Sequence, residues 1–109
     1  MMFYNFQHNF LHMIVNIQKY LCSTYNISLE ILKGKKPIKN KEDYNKYNLS
    51  IILCWLLLPT QRWGSKSLIA RFHGCKHKNR VYRLIRLYEA NKGFKRYVNE
   101  ALKGYKCDN

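Results

Sequence analysis

The segment from Ser65 to Tyr88 reads SKSLIARFHGCKHKNRVYRLIRLY, and it decides the predicted fold. Its first part predicts a short helix capped by Ser65 or Ser67. Gly74 predicts the end of that helix, and apolar residues at helical spacing predict a second helix from about Lys76 to Asn91. A short helix, a turn with glycine and a longer helix together form a helix-turn-helix.

The start of the second helix supplies the candidate DNA-reading residues. In a helix-turn-helix, these first residues meet base edges in the major groove. Asparagine suits adenine, whereas arginine and lysine suit guanine or phosphate. The candidates are Lys76, His77, Lys78, Asn79, Arg80 and Arg83. A solvated helix end with ordinary surface charge is the alternative interpretation, and the position behind a glycine turn favours DNA contact.

The rest of the chain completes an all-α fold of five to six helices. A long helix is expected over residues 3–25 and a short one over 28–32, with Ser28 as its cap and Gly34 as its stop. A basic loop follows, and Asn40 then caps a helix that reaches Leu58. That helix is apolar nearly all the way round and is therefore expected to be central. Lys92-Gly93 predicts a break before a last helix, whose apolar face carries Phe94, Tyr97, Val98, Ala101 and Leu102.

The charge of the chain favours a polyanionic partner. Twenty Lys and Arg oppose six Asp and Glu, which gives a formal net charge of +14. A surplus of this size attracts nucleic acid first and an anionic membrane second. Ribosomal proteins share it, so a basic RNA- or ribosome-associated protein remains an alternative. A helical protein-interaction module without DNA specificity is the other alternative.

The sequence offers little for catalysis, metals or membranes. Glu42 and Asp43 are adjacent and so lie on different faces of a helix, which argues against a carboxylate pair. His73, Cys75 and His77 lack a fourth ligand and a regular zinc spacing. Residues 51–59 are apolar but reach only about half of the ~20 residues that a membrane span needs. We expect a cytoplasmic, nucleoid-associated protein that is not an enzyme and uses no metal or cofactor.

The stretch from Ile17 to Leu102 resembles the carboxy-terminal DNA-binding domain of the bacterial replication initiator DnaA, which has a Trp-repressor-like fold. The resembling segments are YNISLEILKGKK at 25–36, the apolar helix at 49–58 and FKRYVNEAL at 94–102. In a gapless alignment, the matching positions of the motif include Ser65, Ile69, Gly74, Val81, Leu84 and Glu89. The resemblance implies a domain over 17–105, a helical extension over 1–16 and a tail over 106–109.

The family's signature, F-G-G-R-D-H-S/T-T-V, faces HGCKHKNRV at residues 73–81, so only Gly74 and Val81 match outright. A shift by one residue instead pairs Phe72 and His77 with the family's Phe and His. No Walker phosphate loop is present, so the initiator's ATPase part is missing.

The resemblance also implies a function and further contacts. Duplex DNA binding in replication control or transcription regulation is the implied function. The implied minor-groove residues are Lys35, Lys36 and Lys39, and the implied phosphate contacts are Arg62, Ser65 and Lys66. Further expected partners are a second copy, through the amino-terminal helix, or a larger replication or regulatory assembly.

Overall fold

Six helices form the part of the chain that the computed structural model describes, which is residues 2–58 and 64–108, with the side chains of 9–58 and 64–107. They are α1 (Met2–Tyr25), α2 (Leu29–Leu32), α3 (Lys41–Leu57), α4 (Ser65–Phe72), α5 (Asn79–Ala90) and α6 (Lys92–Asp108). No strand occurs in these two ranges. The prediction of an all-α fold with five to six helices is confirmed.

Helix α3 is the centre of the molecule, as its apolar sequence predicts. Asn40 begins it as the predicted N-cap, with its side-chain oxygen accepting from the backbone N–H of Asp43 at 2.8 Å. Residues 47–55 are all buried, and α3 contacts each of the other five helices. A helix surrounded in this way has no exposed stripe in its second half, which is why its apolar residues are not confined to one face.

Helices α1 and α6 cover α3 with one apolar face each. On α1 the buried apolar side chains are Phe10, Ile14, Ile17 and Leu21, at steps of three and four residues. Burying each such side chain contributes about 1.5–3 kcal/mol. Phe10 and Ile14 belong to the same core as Ile17, so α1 crosses residue 16 without a break in packing. On α6, Val98 and Ala101 are buried, at the spacing that the sequence predicts.

Three predicted helix ends are wrong, each for a local reason. Gly64, rather than Ser65 or Ser67, occupies the N-cap of α4, where φ is +87° and no side chain caps the helix. Helix α5 begins at Asn79, three residues later than predicted, because residues 75–78 still belong to the turn. Asn91 alone separates α5 from α6, and its side-chain oxygen accepts from the N–H of Phe94. Gly93 therefore lies inside α6 and does not break the chain.

Candidate nucleic-acid interface

Two helices end in the same type of glycine turn. At the end of α4, the N–H of Cys75 bonds the carbonyl of Ala70, and the N–H of Gly74 bonds the carbonyl of Arg71. At the end of α2, Lys35 and Gly34 repeat this pattern on Glu30 and Ile31. These paired bonds define the Schellman motif, which needs a residue with positive φ. Gly34 supplies it with φ +77° and Gly74 with φ +74°.

The two glycine turns lie directly against each other. A Cβ atom added to Gly34 would come within 2.6 Å of the carbonyl oxygen of His73. A Cβ atom added to Gly74 would come within 2.8 Å of the carbonyl oxygen of Lys33. Only glycine permits backbones to approach so closely. The loop after α2 and the turn after α4 therefore begin at the same place in the fold, although Gly34 and Gly74 are forty residues apart in the chain.

A buried histidine supports the turn from below. His73 is fully buried, and its Nδ1 lies 2.8 Å from the carbonyl oxygen of Ile69. Because a carbonyl only accepts, Nδ1 carries the proton, and Nε2 accepts from the Ser50 hydroxyl at 2.7 Å. Burial lowers the pKa of His73 to about 4. Both side chains are 0% exposed, so this hydroxyl–imidazole pair holds the turn and does not face a substrate.

Two further side chains hold backbone carbonyls at the end of α4. The Tyr47 hydroxyl donates to the carbonyl of His73, and the amide nitrogen of Gln18 donates to the carbonyl of Phe72 at 3.0 Å. The thiol of Cys75 lies 3.2 Å from the Tyr47 oxygen. Burial, reinforced by Cys75, raises the pKa of Tyr47. Side chains from α1 and α3 therefore hold this turn at a fixed position on the core.

The predicted base-reading residues divide into two groups. Lys76, His77 and Lys78 are exposed, but they lie in the turn and not in α5, which corrects the predicted helix start. Asn79 is exposed at the first position of α5. Lysine and histidine at 76–78 offer no capping oxygen, and no side-chain cap bond is made at the start of α5.

Arg80 is directed at α3. Its Nη1 donates to Oδ1 of Asn48 at 3.1 Å and to the Tyr44 hydroxyl at 3.5 Å. The guanidinium carbon also lies 5.5 Å from the ring centroids of both Tyr44 and Tyr47. The pKa of Tyr44 is lowered by hydrogen bonding of its hydroxyl, first with Asn48 and then with Arg80. Arg80 is therefore half-buried and already bonded within the protein.

The outward face of α5 carries one cation that the sequence analysis missed. Asn79, Arg83 and Arg86 follow at steps of four and three residues, so they share a face, and all three are exposed. Arg86 is therefore on the same side as the predicted Arg83. The sequence spacing could have predicted this position, since Arg86 lies seven residues after Asn79 and residues seven apart share a helix face.

The residues predicted to contact the backbone of DNA have different positions. Lys35, Lys36 and Lys39 are exposed on the loop that leaves from the glycine contact. Lys66 is half-buried, with Nζ 4.2 Å from the ring centroid of Trp55 and 4.9 Å from that of Tyr82. Ser65 is only 1% exposed and so is not part of the exposed basic surface. Arg62 lies outside the described residues.

The four cysteines are free thiols, and within residues 2–58 and 64–108 no cluster of three or more His, Cys, Asp or Glu is placed to hold a metal. In the same ranges no helix has the length and apolar character needed to cross a membrane. Comparison with protein-family models, with curated proteins and with solved structures finds no match for this chain.

Proposed function

We propose that this protein binds duplex DNA, with the outward face of α5 in the major groove and the two glycine turns against the phosphate backbone. The observation that carries the proposal is the contact between Gly34 and Gly74. It joins two basic segments, Lys35-Lys36 and residues 76–78, into one exposed surface beside the first turn of α5. A polyanion with charges on both sides of a groove fits such a surface better than a small anion does.

The free energy of this binding would come mainly from phosphate contacts. Six exposed cations lie on the two turns and on the outward face of α5: Lys35, Lys36, Lys76, Lys78, Arg83 and Arg86. If each neutralises one phosphate, log K falls with log salt at a slope of roughly −5. Base preference would then rest on Asn79, which is exposed at the first position of α5, since Arg80 is bonded to α3.

A role in replication control or transcription regulation is the finer part of the proposal. It is supported by the resemblance of residues 17–102 to the DnaA domain, including Gly74 and Val81 of the signature. The substituted residues at 76–80 imply a target sequence different from the usual origin box of that family. A selection of preferred sites from random duplexes tests this part, and recovery of the usual box would contradict it.

The binding itself is tested by titrating a duplex of random sequence at several salt concentrations. We expect Lys76→Ala with Lys78→Ala to make the salt slope less steep by about two. The control is Lys103→Ala with Lys106→Ala, which removes the same charge from exposed positions on α6. If both pairs change the slope equally, the chain behaves as a generic polycation. Tighter binding to structured RNA than to duplex DNA would favour the ribosome-associated alternative.

A further inference from the structure

A groove beside the proposed DNA surface has a composition of its own. It lies between the first turns of α3, the second half of α5 and the start of α6, with a volume of about 460 Å³. Leu84, Leu87 and Phe94 provide its apolar part, and Tyr44, Asn45 and Asn48 come from α3. Ligand sites in proteins fall in this size range and combine an apolar lining with few polar groups.

The groove exposes apolar surface that folding leaves uncovered. Tyr44 is 41% exposed and Leu87 is 40% exposed, and both lie in this groove. Tyr82, which is 38% exposed, is the other large apolar side chain of the described residues with this degree of exposure. It is not among the residues that line the groove and lies beside Lys66 and Lys78. Apolar surface gathered in one concave place favours a ligand with an apolar or planar part.

The charges around the groove are of one sign. Arg83 and Arg86 line it and are exposed, and no acidic residue is among its lining residues in the described part of the chain. Within the described part of the chain, neither arginine makes a hydrogen bond of the kind that Arg80 makes, and both residues are exposed. An occupant therefore needs negative charge as well as an apolar part, and two arginines placed three residues apart suit successive phosphates.

Tyr44 is held in place before any ligand arrives. Arg80 donates to its hydroxyl and lies 5.5 Å from its ring centroid, while the same Arg80 is bonded to Asn48. An aromatic ring fixed in this way loses little conformational entropy when a second ring stacks on it. Asn45, exposed at the edge of the groove, adds an amide that both donates and accepts hydrogen bonds.

We propose that this groove binds an unstacked base of single-stranded DNA, with the base against Tyr44 and Leu87 and the neighbouring phosphates on Arg83 and Arg86. The inference rests on the proposed DNA binding, because these arginines also belong to the outward face of α5. A base within a duplex is stacked and paired and has no free face to offer, so a strand must be single or locally opened to use the groove. An acidic peptide would pair with the arginines but has no base to place against Tyr44 and Leu87.

The experiment compares two 12-nucleotide strands of equal charge, one of thymidines and one in which every nucleotide is abasic. Binding is followed by fluorescence anisotropy at one salt concentration. We expect the wild-type protein to bind the thymidine strand about fivefold or more tightly than the abasic strand, since base stacking adds affinity that phosphates do not. Equal affinity for the two strands would overturn the proposal and would fit an acidic peptide as the occupant.

Two variants locate the effect. Tyr44→Ala is expected to reduce the preference for the thymidine strand to near unity, and Tyr82→Ala, which removes an equally exposed tyrosine outside the groove, is expected to keep it. Leu87→Glu, at an exposed position, should also abolish the preference and guards against a folding defect in Tyr44→Ala. If Tyr82→Ala abolished the preference as well, or Leu87→Glu retained it, the groove would not be the site.

A duplex titration with the same variants separates this inference from the proposed function. We expect Tyr44→Ala and Tyr82→Ala to bind duplex DNA alike, because neither removes a phosphate contact. Duplex binding without base preference in single strands would overturn the groove alone. If the protein bound neither the duplex nor either of the two single strands, both proposals would be overturned.

Discussion

The inner side of the turn between α4 and α5 and the outer face of α5 are neighbours with opposite compositions. On the inner side, Gln18, Ser50 and His73 are fully buried and bonded within the protein. On the outer face, Asn79 and the two arginines that follow it are exposed to solvent. Folding therefore fixes the position of this surface, whereas its exposed cations are available to bind a ligand. Changes on the inner side should alter stability, and changes on the outer face should alter binding.

The largest effect is expected where the inner side touches α2. Gly74→Ala places a methyl group 2.8 Å from the carbonyl oxygen of Lys33 and keeps a φ of +74° that alanine disfavours. We expect the free energy of unfolding to fall by about 4 kcal/mol, measured by urea denaturation, because strain and overlap add. Duplex binding should weaken too, since the two basic segments can no longer meet.

Gly64→Ala is the matched control for that overlap. Gly64 also has positive φ, at +87°, but an added Cβ meets no atom of residues 2–58 and 64–108 within 4 Å. Backbone strain alone should cost about 1 kcal/mol. Equal losses at positions 64 and 74 would mean that the close approach of the glycine turns contributes nothing.

The sequence predicts the elements of this fold better than it predicts how the elements meet. Asn40 as a cap and the apolar run after Leu49 specify α3, because capping and helical periodicity are local signals. The sequence predicts the start of α5 three residues too early, since Lys76, His77 and Lys78 suit a helix as well as a turn. The burial of His73 depends on Ser50, and the orientation of Arg80 towards α3 depends on Asn48. Both partners are distant in the chain. The glycine contact has the same origin, because it joins the ends of two separate helices.

The next effect concerns pH and tests the inner side through His73. Burial lowers its pKa from 6.5 to about 4, so the unfolded chain binds a proton that the folded chain refuses between these values. Stability is therefore complete above pH 6.5 and declines as the pH falls towards 4. We expect a loss of about 2 kcal/mol between pH 8 and pH 5, measured by urea denaturation.

Two variants assign that loss to one residue. His73→Gln removes the titrating group and should flatten the stability curve over this interval, although it lowers the stability itself. His77→Gln changes an exposed histidine of the same turn and should leave the curve as in the wild type. A curve for His73→Gln as steep as that of the wild type would show that another group refuses the proton.

The smallest effects are expected at two arginines of α5, of which Arg83 is exposed and Arg80 is bonded to α3. Arg83→Ala and Arg80→Ala each remove one positive charge from α5, so the net charge of the protein changes equally. Arg83 is exposed, and its loss should lower the steepness of the salt slope for duplex binding by about one while changing stability by less than about 0.5 kcal/mol. Arg80→Ala leaves the nearly buried Asn48 without its donor and should cost about 1–2 kcal/mol of stability with the salt slope retained. If Arg80→Ala lowered the slope as much as Arg83→Ala does, the Arg80 guanidinium would have to leave α3 when DNA binds. Arg80 would then serve binding as well as folding, and the separation of the inner side from the outer face would not hold at this residue.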